Sequence, residues 1–212
     1  MPTTSEPDLS RLLQAESDRL AGALTSLPPE AWATPSLCAG WTVRDVLAHL
    51  CMPYDLSVRG LLPRLVAARF SFDRAALTWA IRDPRDGPTL AQAVQMLPER
   101  RFGVPGAPAE APLSHLVCHA GDVLRPLGLP HEVAPDAGAI VLEELVTRGR
   151  KTLPAEVVGG WRWVAEDARW THGEGPEACG PAAALVTTLL GRSAALSDLS
   201  GEGAEALRAR FR

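Results

Sequence analysis

The chain has 212 residues and 46% of them are hydrophobic, which predicts one large domain, or a main domain with a small appendage. Its formal net charge is -4 and its basic residues form no cluster, so nucleic acid is not an expected partner. No apolar run approaches the roughly 20 residues that cross a bilayer, and the polar start does not resemble a signal peptide. We therefore expect a cytoplasmic protein, a monomer or a homodimer, with no membrane partner.

The first helix is predicted from leucines that recur at three- and four-residue steps between Leu9 and Leu27. A second helix is predicted to begin at Thr42, which can cap it. Asp45 can answer that cap from the third helical position, and Trp41 can pack onto the first turn. These local signals place the start of the second helix firmly.

His49 lies on the apolar face of the second helix, together with Val46 and Leu50. We therefore expect its side chain to point into the interior. Pro53, four residues further on, is expected to kink or end the helix.

The remainder of the chain is predicted to be helical up to a small strand element. Trp161–Val164 alternates as a strand does, and Ala168–Thr171 can return as its partner. Asp136 is placed to cap one of the later helices. The further helices are predicted over 56–82 with an interruption at Gly60 and Pro63, and over 89–97, 113–124, 136–148 and 181–190, with a last one ending near Phe211.

His115 and His119 are four residues apart on a predicted helix, so their side chains project from one face on successive turns. With His49 they make three inward-facing imidazoles, and neutral imidazole is the commonest protein ligand for zinc, nickel, copper or iron. Three protein ligands would leave positions open for water or substrate. The alternative is that all three are ordinary interior histidines whose spacing arises by chance.

Asp122 follows His119 by three residues and lies on the same side of the helix. A carboxylate there can accept the second ring N–H of a metal-binding histidine and fix its orientation. The alternative is a surface carboxylate paired with Arg125.

The four cysteines, Cys38, Cys51, Cys118 and Cys179, are widely spaced and form no Cys-x-x-Cys pair. This spacing argues against a thiolate zinc site and against a redox motif. We expect reduced and mostly buried thiols, with Cys51 and Cys118 belonging to the core.

Three segments resemble a known family in the expected order. Residues 40–50, GWTVRDVLAHL, and residues 115–128, HLVCHAGDVLRPLG, resemble the two metal motifs of the DinB-like superfamily, in its mycothiol-dependent maleylpyruvate isomerase branch. Trp170–Leu207 resembles the sterol-carrier-like C-terminal extension of that branch. The resemblance implies a mainly α fold: a DinB-like four-helix bundle over 1–152 and a small α/β extension over 153–212.

The resemblance also implies a mononuclear metal site, carried over here to His49, His115 and His119. The ion would be divalent, zinc first and nickel as the alternative, and a low-molecular-weight thiol would act as cosubstrate. That branch usually has Glu where this chain has His115, so the present ligand set is closer to the three-His pattern of other DinB-like proteins.

The expected activity is an isomerisation or S-transfer on a small electrophile that bears a carboxylate. The resemblance implies that Arg192, after Gly191, contacts substrate and takes part in catalysis; the alternative is a cap on the preceding helix. Arg82 is a further substrate-binding candidate, and Arg74 a weaker one; the alternative for both is a solvated helix face. Two other functions stay open: a metal-dependent hydrolase with Asp122 as base, and a non-catalytic DinB-like metal-binding stress-response protein.

Overall fold

The structure is a computed structural model, and its described part is mainly helical with one small sheet towards the C-terminus, as predicted. Its contacts divide the chain into two compact units, Met1–Leu129 and Pro130–Arg212. The residues described are 6–55, 66, 69, 71–104, 106–148, 153, 154, 157 and 159–211.

The N-terminal unit is built around four helices that pack as a bundle. Helices α1 and α2 each contact both α4 and α5, so the four helices surround one core. Helix α3 packs on α2. The bounds are α1 Glu6–Leu24, α2 Val43–Asp55, α3 Phe72–Arg82, α4 Gly87–Gln95 and α5 Ala111–Leu124, with short 3-10 turns at Pro29–Ala33 and Leu97–Glu99.

The core of this unit is aliphatic and closed to solvent. Each of these four helices contributes fully buried side chains to it, so hydrophobic burial holds the bundle together. Examples are Leu20 of α1, Leu47 and Leu50 of α2, Leu90 of α4 and Leu116 of α5.

Helix α2 starts as its sequence predicts. The Thr42 N–H and hydroxyl both donate to Asp45 Oδ2, at 3.0 and 2.8 Å, and the Asp45 N–H donates to Thr42 Oγ1 at 3.3 Å. This reciprocal capping box satisfies donors that a helix start leaves without partners. Pro53 lies inside the helix, which ends two residues later at Asp55.

The C-terminal unit consists of a small sheet packed with helices. Strand β1 lies in the centre, antiparallel to β2 and parallel to β3. The bounds are α6 Pro135–Thr147, β1 Arg162–Ala165, β2 Trp170–His172, β3 Glu177–Gly180, α7 Ala182–Leu189 and α8 Glu202–Arg210, with a 3-10 turn at Ser193–Asp198.

The C-terminal unit has its own hydrophobic core. Trp163 of β1 is fully buried, and α7 packs against both β1 and β3. Helices α6 and α7 approach closely at Gly138. A Cβ atom added to this glycine would lie 2.6 Å from Ala182 Cβ, so a side chain does not fit there. The Trp170 indole N–H donates to Glu143 at 3.0 Å and ties β2 to α6.

Several expectations about local structure are corrected. Asp136 does not cap α6: the cap residue is Ala134, and Asp136 lies within the first turn, where Pro135 starts the helix. Strand β3 was not predicted, since Glu177–Gly180 shows no β-branched residue. Of the four cysteines only Cys51 is buried, and the other three are partly exposed.

The helix predicted over 136–148 packs with the C-terminal unit, so the compact units divide between Leu129 and Pro130. The domain boundary after residue 152 stays a prediction. Of the segment predicted as helix over 56–82, the structure describes Val66, Arg69 and residues 71–82; Gly60 and Pro63 lie outside it. No described helix is long and apolar enough to cross a membrane.

Candidate metal centre

Three imidazoles meet between α2 and α5. His49 comes from α2, and His115 and His119 come from successive turns of α5, as their spacing predicts. One ligand nitrogen from each ring lies within 4.8 Å of the other two. His49 Nε2 and His115 Nε2 are only 3.1 Å apart.

The three rings are arranged edge to face. Their centroids are 4.8 to 5.1 Å apart and their planes are nearly perpendicular. His49 is buried, with 9% of its surface exposed, whereas His115 and His119 are partly exposed. The cluster is therefore anchored in the bundle and reachable from solvent.

Burial keeps the first two imidazoles neutral. Desolvation, with the neighbouring His119 second, lowers the pKa of His49 to about 3. Desolvation and the other two histidines also lower the pKa of His115 well below its usual value. Neutral rings carry a free lone pair at neutral pH, which is the form that binds a metal ion.

Asp122 lies beside one ring nitrogen of His119. His119 Nδ1 lies 3.0 Å from Asp122 Oδ2. An ionised carboxylate only accepts hydrogen bonds, so with Asp122 in that form Nδ1 would carry the proton and Nε2 would keep its lone pair. Asp122 is 1% exposed, so it is not a surface carboxylate, and its role in orienting a metal-binding His119 stays a prediction.

The residues present fit a metal ion by the chemistry of their donors. Two Nε2 atoms 3.1 Å apart can share only one hydrogen bond, and a bond from His119 Nδ1 to Asp122 would leave Nε2 of the third ring available to an ion. His49 Nδ1 is buried without a hydrogen-bond partner in the described part of the chain. It is free to carry the proton when His49 Nε2 acts as a ligand.

A loop before α2 covers one side of the cluster. Trp41 stands edge-on to His49 with ring centroids 4.9 Å apart. Cys38 Sγ donates to Asp122 Oδ2 at 3.0 Å and lies 3.8 Å from His119 Nδ1. Neither contact was predicted. The sequence indicated only that Trp41 lies at the start of a helix. No sequence pattern around Cys38 predicts that this residue lies beside Asp122.

On another side, aromatic rings lead from the cluster to a cavity of about 290 Å³. Phe102 lies edge-on to His115 at 6.3 Å and to Tyr54 at 5.3 Å. Both aromatic residues line the cavity, together with Arg100 and residues at the start of α5, including Leu113. Sequence analysis did not single out Phe102 or Arg100.

The predicted arginines lie at helix ends. Arg82 is exposed in the last turn of α3, and Arg74 is exposed near its start. The Arg192 guanidinium donates to the Leu190 carbonyl at 2.7 Å, next to the end of α7. That bond matches the capping interpretation of Arg192, and the substrate-binding roles of Arg192 and Arg82 stay predictions.

Residues 13–113 match the family model of the mycothiol maleylpyruvate isomerase N-terminal domain. Over this segment the chain is similar to that family. The resemblance predicted from the sequence motifs is therefore confirmed. The domain match includes His49 of α2 and ends two residues before His115 of α5.

Two crystal structures of the mycothiol-dependent maleylpyruvate isomerase are similar to this chain, one of them a His-to-Ala mutant. Their TM-scores are 0.60 for the mutant and 0.58 for the other, and both are 13% identical in sequence. Each similarity covers 95% of this chain and 94% of that one. At this identity the similarity shows a common fold. No curated protein matches the chain.

Proposed function

We propose that this protein is a metal-dependent enzyme that uses a low-molecular-weight thiol to isomerise, or to add to, a small electrophile. The observation that carries the proposal is the convergence of three imidazoles, two of them kept neutral by burial, on one point. The mycothiol-dependent isomerase with the same fold supplies the class of cosubstrate.

His49, His115 and His119 would hold one divalent ion, zinc first and nickel as the alternative. Such an ion supplies Lewis acidity that keeps a thiol in its thiolate form at neutral pH. The chain therefore needs no nucleophile of its own. Asp122 holds His119 in the metal-binding tautomer through the bond to Nδ1.

The cavity beyond Phe102 is the proposed site of the electrophile. Phe102, which lines this cavity, also contacts the His115 ring, and Arg100 is another of the lining residues. Arg100 also pairs with Asp55 at 2.6 Å, which holds its side chain in place. A fixed guanidinium suits a carboxylate-bearing substrate, and the aromatic wall limits access of water.

In the isomerase version, the thiolate adds to an activated cis double bond, the resulting single bond rotates, and elimination returns the trans isomer and the thiol. In the transferase version the thioether is the product. Arg100 would hold the carboxylate during these steps. Arg192, which the family resemblance implies, and Arg82, a candidate from the sequence, are the alternatives for that role.

The hydrolase alternative needs a free general base near the ion, and Asp122 was its candidate. That carboxylate is buried and accepts bonds from both His119 and Cys38 at the same oxygen. It is therefore engaged in orienting its neighbours, which favours the thiol-dependent proposal over hydrolysis.

The test is turnover by zinc-loaded protein with maleylpyruvate as electrophile and with mycothiol, glutathione or cysteine as thiol. The proposal expects turnover that requires a thiol and is lost in His115→Ala but kept in Cys118→Ser, a matched change on the same helix. Thiol-independent turnover would favour the hydrolase. Absence of turnover with every thiol would favour a non-catalytic metal-binding protein.

Conservative changes in the same assay show which of the arginines binds the substrate carboxylate. Lys keeps the charge of Arg but loses its paired donors, so Arg100→Lys or Arg192→Lys should lower activity where a bidentate carboxylate contact exists. Normal turnover in the Lys and Ala variants at one position removes that arginine from the mechanism.

A further inference from the structure

We propose a second metal position on the other side of His119, formed by Cys38 Sγ, His119 Nδ1 and Asp122 Oδ2. It suits a borderline-soft divalent ion such as zinc, cobalt or cadmium, because it combines a thiol with an imidazole. It is distinct from the three-His position, which uses the opposite nitrogen of the same ring. This inference does not depend on the proposed thiol chemistry.

The distances between the three atoms fit a single ion. Sγ to Oδ2 and Nδ1 to Oδ2 are both 3.0 Å, and Sγ to Nδ1 is 3.8 Å. Tetrahedral zinc, with bonds of about 2.0 to 2.3 Å, sets its ligand atoms roughly 3.3 to 3.8 Å apart. An adjustment of a few tenths of an ångström would therefore bring Cys38, His119 and Asp122 around one ion.

The cysteine is held in place by the backbone around it. The Leu37 N–H donates to the Asp122 carbonyl at 3.2 Å, which joins the loop to α5 beside the cluster. Ser36 Oγ accepts the Cys38 N–H at 3.1 Å, and the Cys38 carbonyl accepts the Trp41 N–H at 3.0 Å. The thiol is thus presented to Asp122 by a loop that is bonded on both sides.

Exposure also favours an ion site here. Asp122 is buried, and a buried carboxylate is stabilised by nearby positive charge. Cys38 and His119 are both partly exposed, so an ion from solvent can reach their donor atoms.

The two positions are filled one at a time. A neutral imidazole has one lone pair, so His119 binds through Nε2 while Nδ1 donates to Asp122, or it binds through Nδ1. Removing the other two imidazoles should therefore move the ion to the cysteine-containing position without abolishing binding.

The test uses cobalt(II) as the probe and the full chain as the protein. His49→Ala/His115→Ala should bind about one cobalt ion with a thiolate-to-cobalt charge-transfer absorption in the near ultraviolet. Adding Cys38→Ser should remove the absorption and weaken cobalt binding by more than about 100-fold, since a ligand matters more than the residues that orient it. Adding Cys118→Ser instead should leave both unchanged.

Circular dichroism establishes which variants are folded. If the double variant does not fold, the single variants His49→Ala and His115→Ala are tested instead, and the same cobalt binding and absorption are expected of them. A folded variant that binds no cobalt, or binds it without thiolate absorption, overturns the proposal. So does an absorption that survives Cys38→Ser. If the wild-type three-His position proves empty while the double variant shows the band, the proposed function fails and this site stands.

Discussion

The two compact units bury different kinds of residue. Among the described residues of the N-terminal unit, ionisable side chains such as Asp45, His49 and Asp122 are at least nine-tenths buried. Among the described residues of the C-terminal unit, the buried polar side chains are Thr187 and Thr188, amid tryptophan, alanine and leucine. Burying a charge or an imidazole costs stability unless the group has partners. Asp45 has them in the capping box of α2, whereas His49 and Asp122 are buried at the candidate metal centre, and the core of the C-terminal unit serves packing.

The largest expected effect on stability comes from the core of the C-terminal unit. Trp163→Ala should lower the free energy of unfolding by about 3 to 5 kcal/mol, because it empties a fully enclosed site. Zinc affinity of the folded fraction should stay near wild type. Urea unfolding and calorimetric zinc titration measure the two quantities, and Trp163→Phe serves if the alanine variant does not fold. A large drop in zinc affinity would break the contrast between the units.

The site should respond in the opposite way. His49→Ala, His115→Ala and His119→Ala should each weaken zinc binding by more than about 100-fold, beyond the effect of residues that only orient a ligand. The residual binding of the first two variants is that of the cysteine-containing position, and His119→Ala removes a ligand of both positions. Cys118→Ser, on the same helix as two of them, should keep wild-type affinity. Equal zinc affinity in wild type and all three histidine variants would remove the three-His assignment.

The metal-free protein should lose stability in mild acid. Since the pKa of His49 is lowered to about 3 and that of His115 lies well below its usual value, the unfolded chain binds more protons below pH 6.5. Stability is then full above that pH and falls as pH decreases. Between pH 7.5 and 5.5, with chelator present, we expect the free energy of unfolding, measured in urea, to fall by about 3 kcal/mol.

His49→Gln should remove about half of that acid sensitivity, because one of the two neutral imidazoles is gone. An unchanged dependence of unfolding on pH in the variant would show that His49 is not held neutral by burial.

The smallest expected effect on zinc affinity comes from changing the Asp122 carboxylate. Asp122→Asn should weaken zinc binding by roughly 10- to 100-fold, since the amide accepts a weaker bond from His119 Nδ1. Arg125→Ala is the matched control, because the surface interpretation paired these two residues. Loss of affinity in the arginine variant alone would show that zinc binding does not depend on the bond between Asp122 and His119.

The sequence predicts the site better than it predicts the C-terminal unit, for physical reasons. Helical spacing alone brings His115 and His119 onto one face, and the capping box of Thr42 and Asp45 fixes the rotation of His49. These are local rules. Family resemblance added the pairing of the two helices, which no local pattern supplies.

Features that depend on tertiary contacts were missed. Strand β3 pairs in parallel with β1 although Glu177–Gly180 has weak strand propensity, because the partner strand provides its hydrogen bonds. Cys38 reaches Asp122 across 84 positions of sequence. Contacts of this kind leave no periodic signal in the chain.

The central claim is that three histidines hold one metal ion, and elemental analysis of the wild-type protein tests it most directly. Protein purified without a chelator or a metal-binding tag should carry about one divalent ion per chain, zinc or nickel. An ion content near zero, persisting after incubation with zinc and with nickel, would contradict the claim.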